Sequence, residues 1–455
     1  MDKNNGAIYD ARKLGKPKMI ILGVQHMFAM FGATILVPIL TGLDISTTLL
    51  MAGLGTLLFH CITKFKVPAF LGSSFAFLGG YAAIKAFSPN DPNSMLPYAC
   101  LGVACAGLIY FILAAVIKAV GIEKVMRFFP PVVTGPIIIA IGLGLAPSAV
   151  SNCTTNWFLA VVALAVIVVF NIWGKGMAKI IPIILGLLIS YGTGLVLYFI
   201  SQANPDLIQN VPWLFSGGAD ANGVYQPIFD FTSLNTICDN ISKGHIFGSE
   251  GLIGIPIHWD KTVFGGIDYS NGALIASSII AIVPIAFATM MEHIGDICAI
   301  SSTTGNNYIK DPGLHRTLVG DGLATTLASL FGGPANTTYG ENTGVLALTR
   351  VYDPRVIRIA AYFAVAVSFF PIVSVIIGSI PSCIIGGISF VLYGMISAIG
   401  VRNVVENKVD FTKSRNLIVA AVILVCALGL SSDTVSFTIG SAAITLSPLA
   451  VASIA

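Results

Sequence analysis

Glu292, Asp296 and Glu341 are acidic residues set against long apolar runs. Glu341 lies in Asn336-Thr337-Thr338-Tyr339-Gly340-Glu341-Asn342-Thr343-Gly344, a polar, glycine-broken stretch. Glu292 closes the apolar run 279–291, and His293 and Asp296 follow it. An acidic side chain in hydrocarbon costs roughly 2.5–3.5 kcal/mol on insertion scales, so it rarely stands there without a task. Glu292 and Asp296 are spaced i, i+4 and share one helix face. Two carboxyls that close disfavour joint ionisation, so one can hold a proton near neutral pH. The chemistry on offer is acceptance of hydrogen bonds from a ligand's N–H groups, next to a proton site. That combination inside a membrane implies passage of a small polar solute.

Each residue also has a plainer reading. Glu341 could cap its own helix start. Glu292 could sit at a wet cytoplasmic mouth. His293, about 100° round the helix from Glu292, reads as structural. Gln25 and His26 interrupt an otherwise apolar run, and such a pair normally bonds a neighbouring helix. Phe75 and Tyr339 could stack on a planar ring or pack in the core. Asn342, with Ser73, Ser74 and Thr343, reads as support for irregular backbone. Tyr393, after several small residues, is a weaker candidate for the pocket wall.

The elements around these residues must be membrane helices. Of 455 residues, 55% are hydrophobic and 10% charged, and mean hydropathy is +0.88. A soluble domain is about 25% charged. Fourteen apolar segments are expected, at 19–41, 46–63, 67–84, 97–120, 129–147, 157–173, 180–201, 272–292, 317–332, 336–349, 356–378, 382–400, 415–431 and 435–455. Cytoplasmic loops should hold the lysines and arginines. With residues 1–18 as a cytoplasmic tail, only Lys85, Lys243 and Lys261 of the 24 basic residues fall outside. The first 17 residues are polar and precede a span-length run, so no cleavable leader is expected. The net charge of +3 gives no reason to expect nucleic acid as a partner.

Residues 202–271 carry seven acidic residues against two lysines and are expected outside. They divide the chain into halves of seven segments each. An odd number forces the second half to start on the opposite face, which makes an inverted repeat. The third segment opens Pro68-Ala69-Phe70-Leu71-Gly72-Ser73-Ser74-Phe75, and the tenth opens Pro334-Ala335-Asn336-Thr337-Thr338-Tyr339-Gly340. Both read as broken helices, tolerated at that depth only against protein or a watery cavity. Each break exposes N–H groups at a half-helix start, which can donate to carbonyl oxygens of a solute.

Several function classes lack their signatures. There is no Walker A motif, no His-Glu-x-x-His, no Gly-x-Ser-x-Gly and no arginine ladder. Neither ATP-driven transport nor an enzyme is therefore expected. The eight cysteines form no Cys-x-x-Cys pair, so neither metal nor cofactor is expected.

Glu341-Asn342-Thr343-Gly344-Val345-Leu346-Ala347-Leu348-Thr349-Arg350 resembles the signature of the nucleobase–ascorbate transporters, Glu/Gln-Asn-x-Gly-x4-Thr-Arg/Lys. Gln25-His26, Gly72-Ser73-Ser74-Phe75-Ala76-Phe77, Glu292-His293-Ile294-Gly295 and Asp311-Pro312-Gly313-Leu314-His315-Arg316 resemble the family's bacterial uracil branch. The resemblance implies two inverted seven-span repeats. It implies a core domain (19–120 and 272–378) and a gate domain (121–201 and 379–455), with short strands from the third and tenth segments pairing. It implies uracil held by Glu292 and Glu341, by the main-chain amides of Phe75 and Gly340, and by neighbouring Tyr339 and Tyr393. Proton coupling, alternating access and a homodimer in the plasma membrane follow from the same likeness. Asp296 departs from the histidine of the uracil branch and is found in purine-type members, so a purine or xanthine symporter remains an alternative. An anion transporter or channel is a further one.

Overall fold

The computed structural model describes residues 7–125, 130–220 and 222–430, and toward the end 436–439, 442–445, 448 and 451–452; among these the side chains of residues 33, 122, 177, 180, 341, 436–439 and 442–445 are not described. The chain is mostly helical. The helices that matter here are α1 (Lys16–Thr41), α2 (Ile45–Ile62), α3 (Leu78–Lys85), α4 (Leu96–Val120), α5 (Pro131–Cys153), α6 (Trp157–Trp173), α7 (Pro182–Ala203), α8 (Gly272–Ile282), α9 (Ile285–Thr304), α10 (Leu314–Leu330), α11 (Gly340–Thr349), α12 (Pro354–Ser368), α13 (Pro371–Gly378), α14 (Ser382–Glu406) and α15 (Ser414–Gly429). Three two-stranded antiparallel pairs join β1 (Leu71–Ser73) to β4 (Asn336–Thr338), β2 (Ser216–Ala219) to β3 (Tyr225–Pro227), and β5 (Ser436–Ile439) to β6 (Ala442–Thr445).

Helices occupy the expected segments from 19–41 through 415–431. Seven among the described residues are long and apolar enough to cross a bilayer, and a bent pair makes eight. Local chemistry sets their ends. Pro17 stands in the first turn of α1, and Gly42 closes it in the left-handed conformation at φ 86°. The Asp44 side chain caps α2 by accepting from Thr47 N–H, and Asp353 caps α12 by accepting from Arg355 N–H.

Three boundaries differ from expectation. The eighth segment does not stop at residue 292. Pro284 interrupts the run, and α9 then continues to Thr304, so Glu292 sits in mid-helix. The polar residues after 292 ended the apolar pattern, yet His293, Ile294, Ile297 and Ile300 are buried by neighbouring helices. The eleventh segment bends by 88° between α12 and α13. Pro371 brings no N–H, and Phe370 before it is extended. In place of a helix over 435–455, the described residues form β5 and β6, followed by short helical stretches. The Ser-Phe-Thr-Ile and Ala-Ala-Ile-Thr sequences are rich in β-branched residues, which favour strands.

The chain divides into two compact units, residues 1–141, 256–369 and 397–455 in one, and 142–255 with 370–396 in the other. In the first unit, α4 and α10 cross at glycine contacts. A Cβ on Gly107 would lie 2.7 Å from the Gly322 carbonyl, and one on Gly322 would lie 2.5 Å from Tyr110 Cβ. Phe59, Phe70, Leu71, Phe77 and Tyr81 fill its core. In the second unit α6 packs on α7, with a ring cluster of Tyr191, Tyr198, Phe229 and Phe231 beside them.

Candidate functional site

The third and tenth segments are broken, and each break closes the other. Leu71 pairs with Thr338, Gly72 with Thr337 and Ser73 with Asn336. Beyond the strands, Ser74 N–H donates to Ala335 O and Tyr339 N–H to Phe70 O, both at 3.0 Å. Side chains from two helices satisfy part of the remaining irregular backbone, and strand side chains reach back to the helices. Thr56 of α2 accepts from Leu71 N–H at 2.9 Å, Thr325 of α10 donates to Asn336 O at 2.6 Å, and Ser73 donates to Thr34 O of α1 at 3.2 Å. The Asn336 amide donates to Met51 O at 2.7 Å. Two three-residue strands can persist among helices only because these donors and acceptors are present.

After the strands both segments turn helical. Phe75 opens a short turn, Phe75–Phe77, that is buried and packs on α9. Gly340 opens α11 after Tyr339. Tyr339 is buried, with its ring over Gly72, where a Cβ would lie 2.5 Å from the ring. Its hydroxyl donates to Ser73 O at 2.9 Å and accepts from Thr34 at 3.2 Å. Here Tyr339 braces the two breaks against α1.

The α9 carboxylates face this device. Asp296 Oδ2 accepts from the Thr338 hydroxyl at 3.0 Å, and Oδ1 lies 3.2 Å from where a Cβ on Gly340 would stand. Glu292, one turn earlier, is half-buried. His293 is fully buried; its Nδ1 lies 3.2 Å from the Thr338 hydroxyl and 3.4 Å from Asp321 Oδ2. Asp321, His293, Thr338 and Asp296 therefore form one polar chain from α10 to α9. The Tyr110 hydroxyl donates to Thr289 at 2.7 Å, a turn before His293 on α9. A chain of this kind can hold a proton and pass it between carboxylates, which a lone buried acid cannot.

Asp321 was not singled out from sequence. Its signal was the same as that of Glu292, an acid between glycines inside an apolar run, Leu318-Val319-Gly320-Asp321-Gly322-Leu323. The support residues divide. Ser73 is bonded to α1, whereas Gln25 Oε1, both ring nitrogens of His26, Ser74 Oγ, both amide atoms of Asn342 and Thr343 Oγ1 are buried without a hydrogen-bond partner among the described residues. Buried polar atoms without partners are uncommon. Tyr393 is buried in α14, within the second unit. Glu341 lies in the first turn of α11, and its side chain falls outside the described residues.

Apolar spans enclosing paired broken segments and a buried acid–histidine chain define a multi-pass membrane transporter. A family model described as the Permease family matches residues 17–435, and the chain belongs to that family. A uracil permease of Bacillus caldolyticus is 38% identical over 421 residues, covering 90% of this chain and 85% of that protein. A uracil permease of Bacillus subtilis is 37% identical over 423 residues, covering 90% and 85%. The transmembrane domain of the cyanobacterial bicarbonate transporter BicA superposes with a TM-score of 0.63 at 12% identity, covering 99% of each chain. That likeness is one of fold.

Proposed function

We propose that this permease imports uracil together with a proton. The observation that carries the proposal is Asp296, bonded to Thr338 and set against Gly340, one helical turn from Glu292. That contact supports a reading in which Asp296 and Glu292 share a proton beside the broken backbone. Uracil offers two N–H donors and two carbonyl acceptors on a flat ring. Glu292 and Glu341 would take the N–H groups, and the amides of Phe75 and Gly340 would meet the carbonyls. Tyr339 would hold the two breaks in place around the ring. The named uracil permeases among the relatives support this choice of nucleobase.

In this reading the chain is built as two inverted repeats, its last segment entering through β5 and β6 rather than as a helical span, with its N-terminus in the cytoplasm. A core of 19–120 and 272–378 moves against a gate of 121–201 and 379–455, and homodimer contacts steady the gate. The test is uptake of labelled uracil by cells without their own carrier, at acid and alkaline external pH, with and without a protonophore. Strong acid-side uptake that collapses with the protonophore is expected. No uptake above the empty vector, with the protein in the membrane, would overturn it. Asp296 favours one second reading, a purine or xanthine symporter, and competition by excess xanthine but not uracil would select it.

A further inference from the structure

Residues 8–11 lie outside the apolar spans, yet they bond to the ends of both helices that carry the acidic residues. The Tyr9 hydroxyl donates to Thr304 O at 2.7 Å, at the C-terminus of α9. Thr304 is the last residue of α9, and carbonyls there have no intrahelical donor. Ile8 N–H donates to Arg350 O at 2.8 Å, one residue past α11, and Tyr352 N–H donates back to Ile8 O at 2.8 Å. Ala11 N–H donates to Asp353 Oδ2 at 2.7 Å, and Arg355 bridges Asp10 at 2.9 Å and Asp353 at 3.1 Å. The Tyr9 ring stands edge-on to Tyr352 with centroids 5.4 Å apart. Beneath it Ala11, Val351 and Val356 are buried against Ile8, Leu14, Met19 and Leu22. Four consecutive residues thus join α9, which bears Glu292 and Asp296, to α11, which bears Glu341.

We propose that residues 8–11 are a strap that fixes the spacing of α9 and α11 from their far ends and so sets the affinity of the site between them. This rests on the proposed uracil reading for its ligand, though not for its mechanics. α11 starts at the strand pair and α9 meets it at mid-helix through His293 and Asp296, so the β1–β4 pairing holds one point on each helix and the strap holds their far ends. Loosening the strap lets the acidic residues drift, and affinity suffers before turnover does. Tyr9, Asp10 and Asp353 are positioning residues in this scheme, since they touch the helix ends and their caps.

The test is uptake kinetics of the full chain carrying Tyr9→Phe or Asp10→Asn, with membrane amounts measured by an epitope tag. We expect KM for labelled uracil to rise about three- to tenfold, the size of one or two lost hydrogen bonds, at unchanged maximal rate per transporter. A lower maximal rate at unchanged KM, or no change at all, would overturn the strap's role. If the wild-type chain takes up no uracil, the uracil reading fails separately. Hydrogen exchange on purified Tyr9→Phe then decides the strap. Faster exchange at both 300–304 and 346–352 upholds it, and faster exchange at 300–304 alone overturns it.

Discussion

The two broken segments share a backbone and differ in charge. Each runs from Pro-Ala into a three-residue strand and then a helix, and each strand hydrogen-bonds the other. Yet residues 67–84 hold no acid, histidine, lysine or arginine, and the turn after β1 is Phe75-Ala76-Phe77. The turn after β4 starts with Gly340 and Glu341, and Asp296, His293 and Asp321 crowd behind Thr338. One break is lined by apolar side chains, whereas the other stands beside carboxyl, imidazole and hydroxyl groups. The difference teaches that the scaffold is doubled while the acid–base chemistry is concentrated in the second half.

Substitutions can break this contrast. The largest effect is expected from Asp321→Ala. Removing the carboxyl breaks a buried polar network around His293 and leaves a void, a loss of about 3 kcal/mol or more, so the purified variant should melt well below wild type. An unchanged melting temperature would remove Asp321 from the chain. Glu292→Gln comes next. A hydrogen bond to a charged group is worth about 1.5–3 kcal/mol, so labelled uracil uptake should fall about 10- to 100-fold at equal expression. Near-normal uptake would contradict the assigned acceptor.

A glycine pair sharpens the apolar side. Gly72→Ala must push into the Tyr339 ring, and overpacking of this kind costs about 1–3 kcal/mol. Gly79, only seven residues on, has nothing within 4 Å of its would-be Cβ. Gly79→Ala should therefore leave the melting temperature unchanged or slightly raised, and equal losses in the two variants would mean that the brace carries no strain. The smallest effect concerns pH. The Arg12 guanidinium beside Asp10 holds its carboxyl down at about 2, below the ordinary 3.8. A lowered acid stabilises fully above its ordinary value and loses that contribution as pH falls toward about 2. The strap should thus not titrate between about pH 5 and 8. Asp10→Asn should keep the wild-type ratio of acid to alkaline uptake, and a flattened ratio would place a working proton site in the strap.

Much of this was legible before any fold was known. The breaks announced themselves because Pro, Gly and hydroxyl residues stood where lipid-facing leucines belong. Glu292 stood out because an acid against an apolar run is costly. Where reading failed, burial came from partners distant in sequence. The α9 segment looked finished at Glu292, because His293 and Asp296 are polar, yet α10 and β4 supply their partners. Asp321 passed unnoticed for the same reason, since its histidine is 28 positions away in sequence but 3.4 Å away in space. The strap was hidden in a polar tail whose partners lie more than 290 residues downstream.

The most direct test of the central claim is to reconstitute the protein in liposomes loaded with a pH-sensitive dye and add uracil outside, for wild type and Asp296→Asn. Wild type should acidify the lumen in step with uracil entry, and Asp296→Asn should weaken or abolish that coupling. Uracil entering wild-type liposomes with no change in lumen pH would contradict the account.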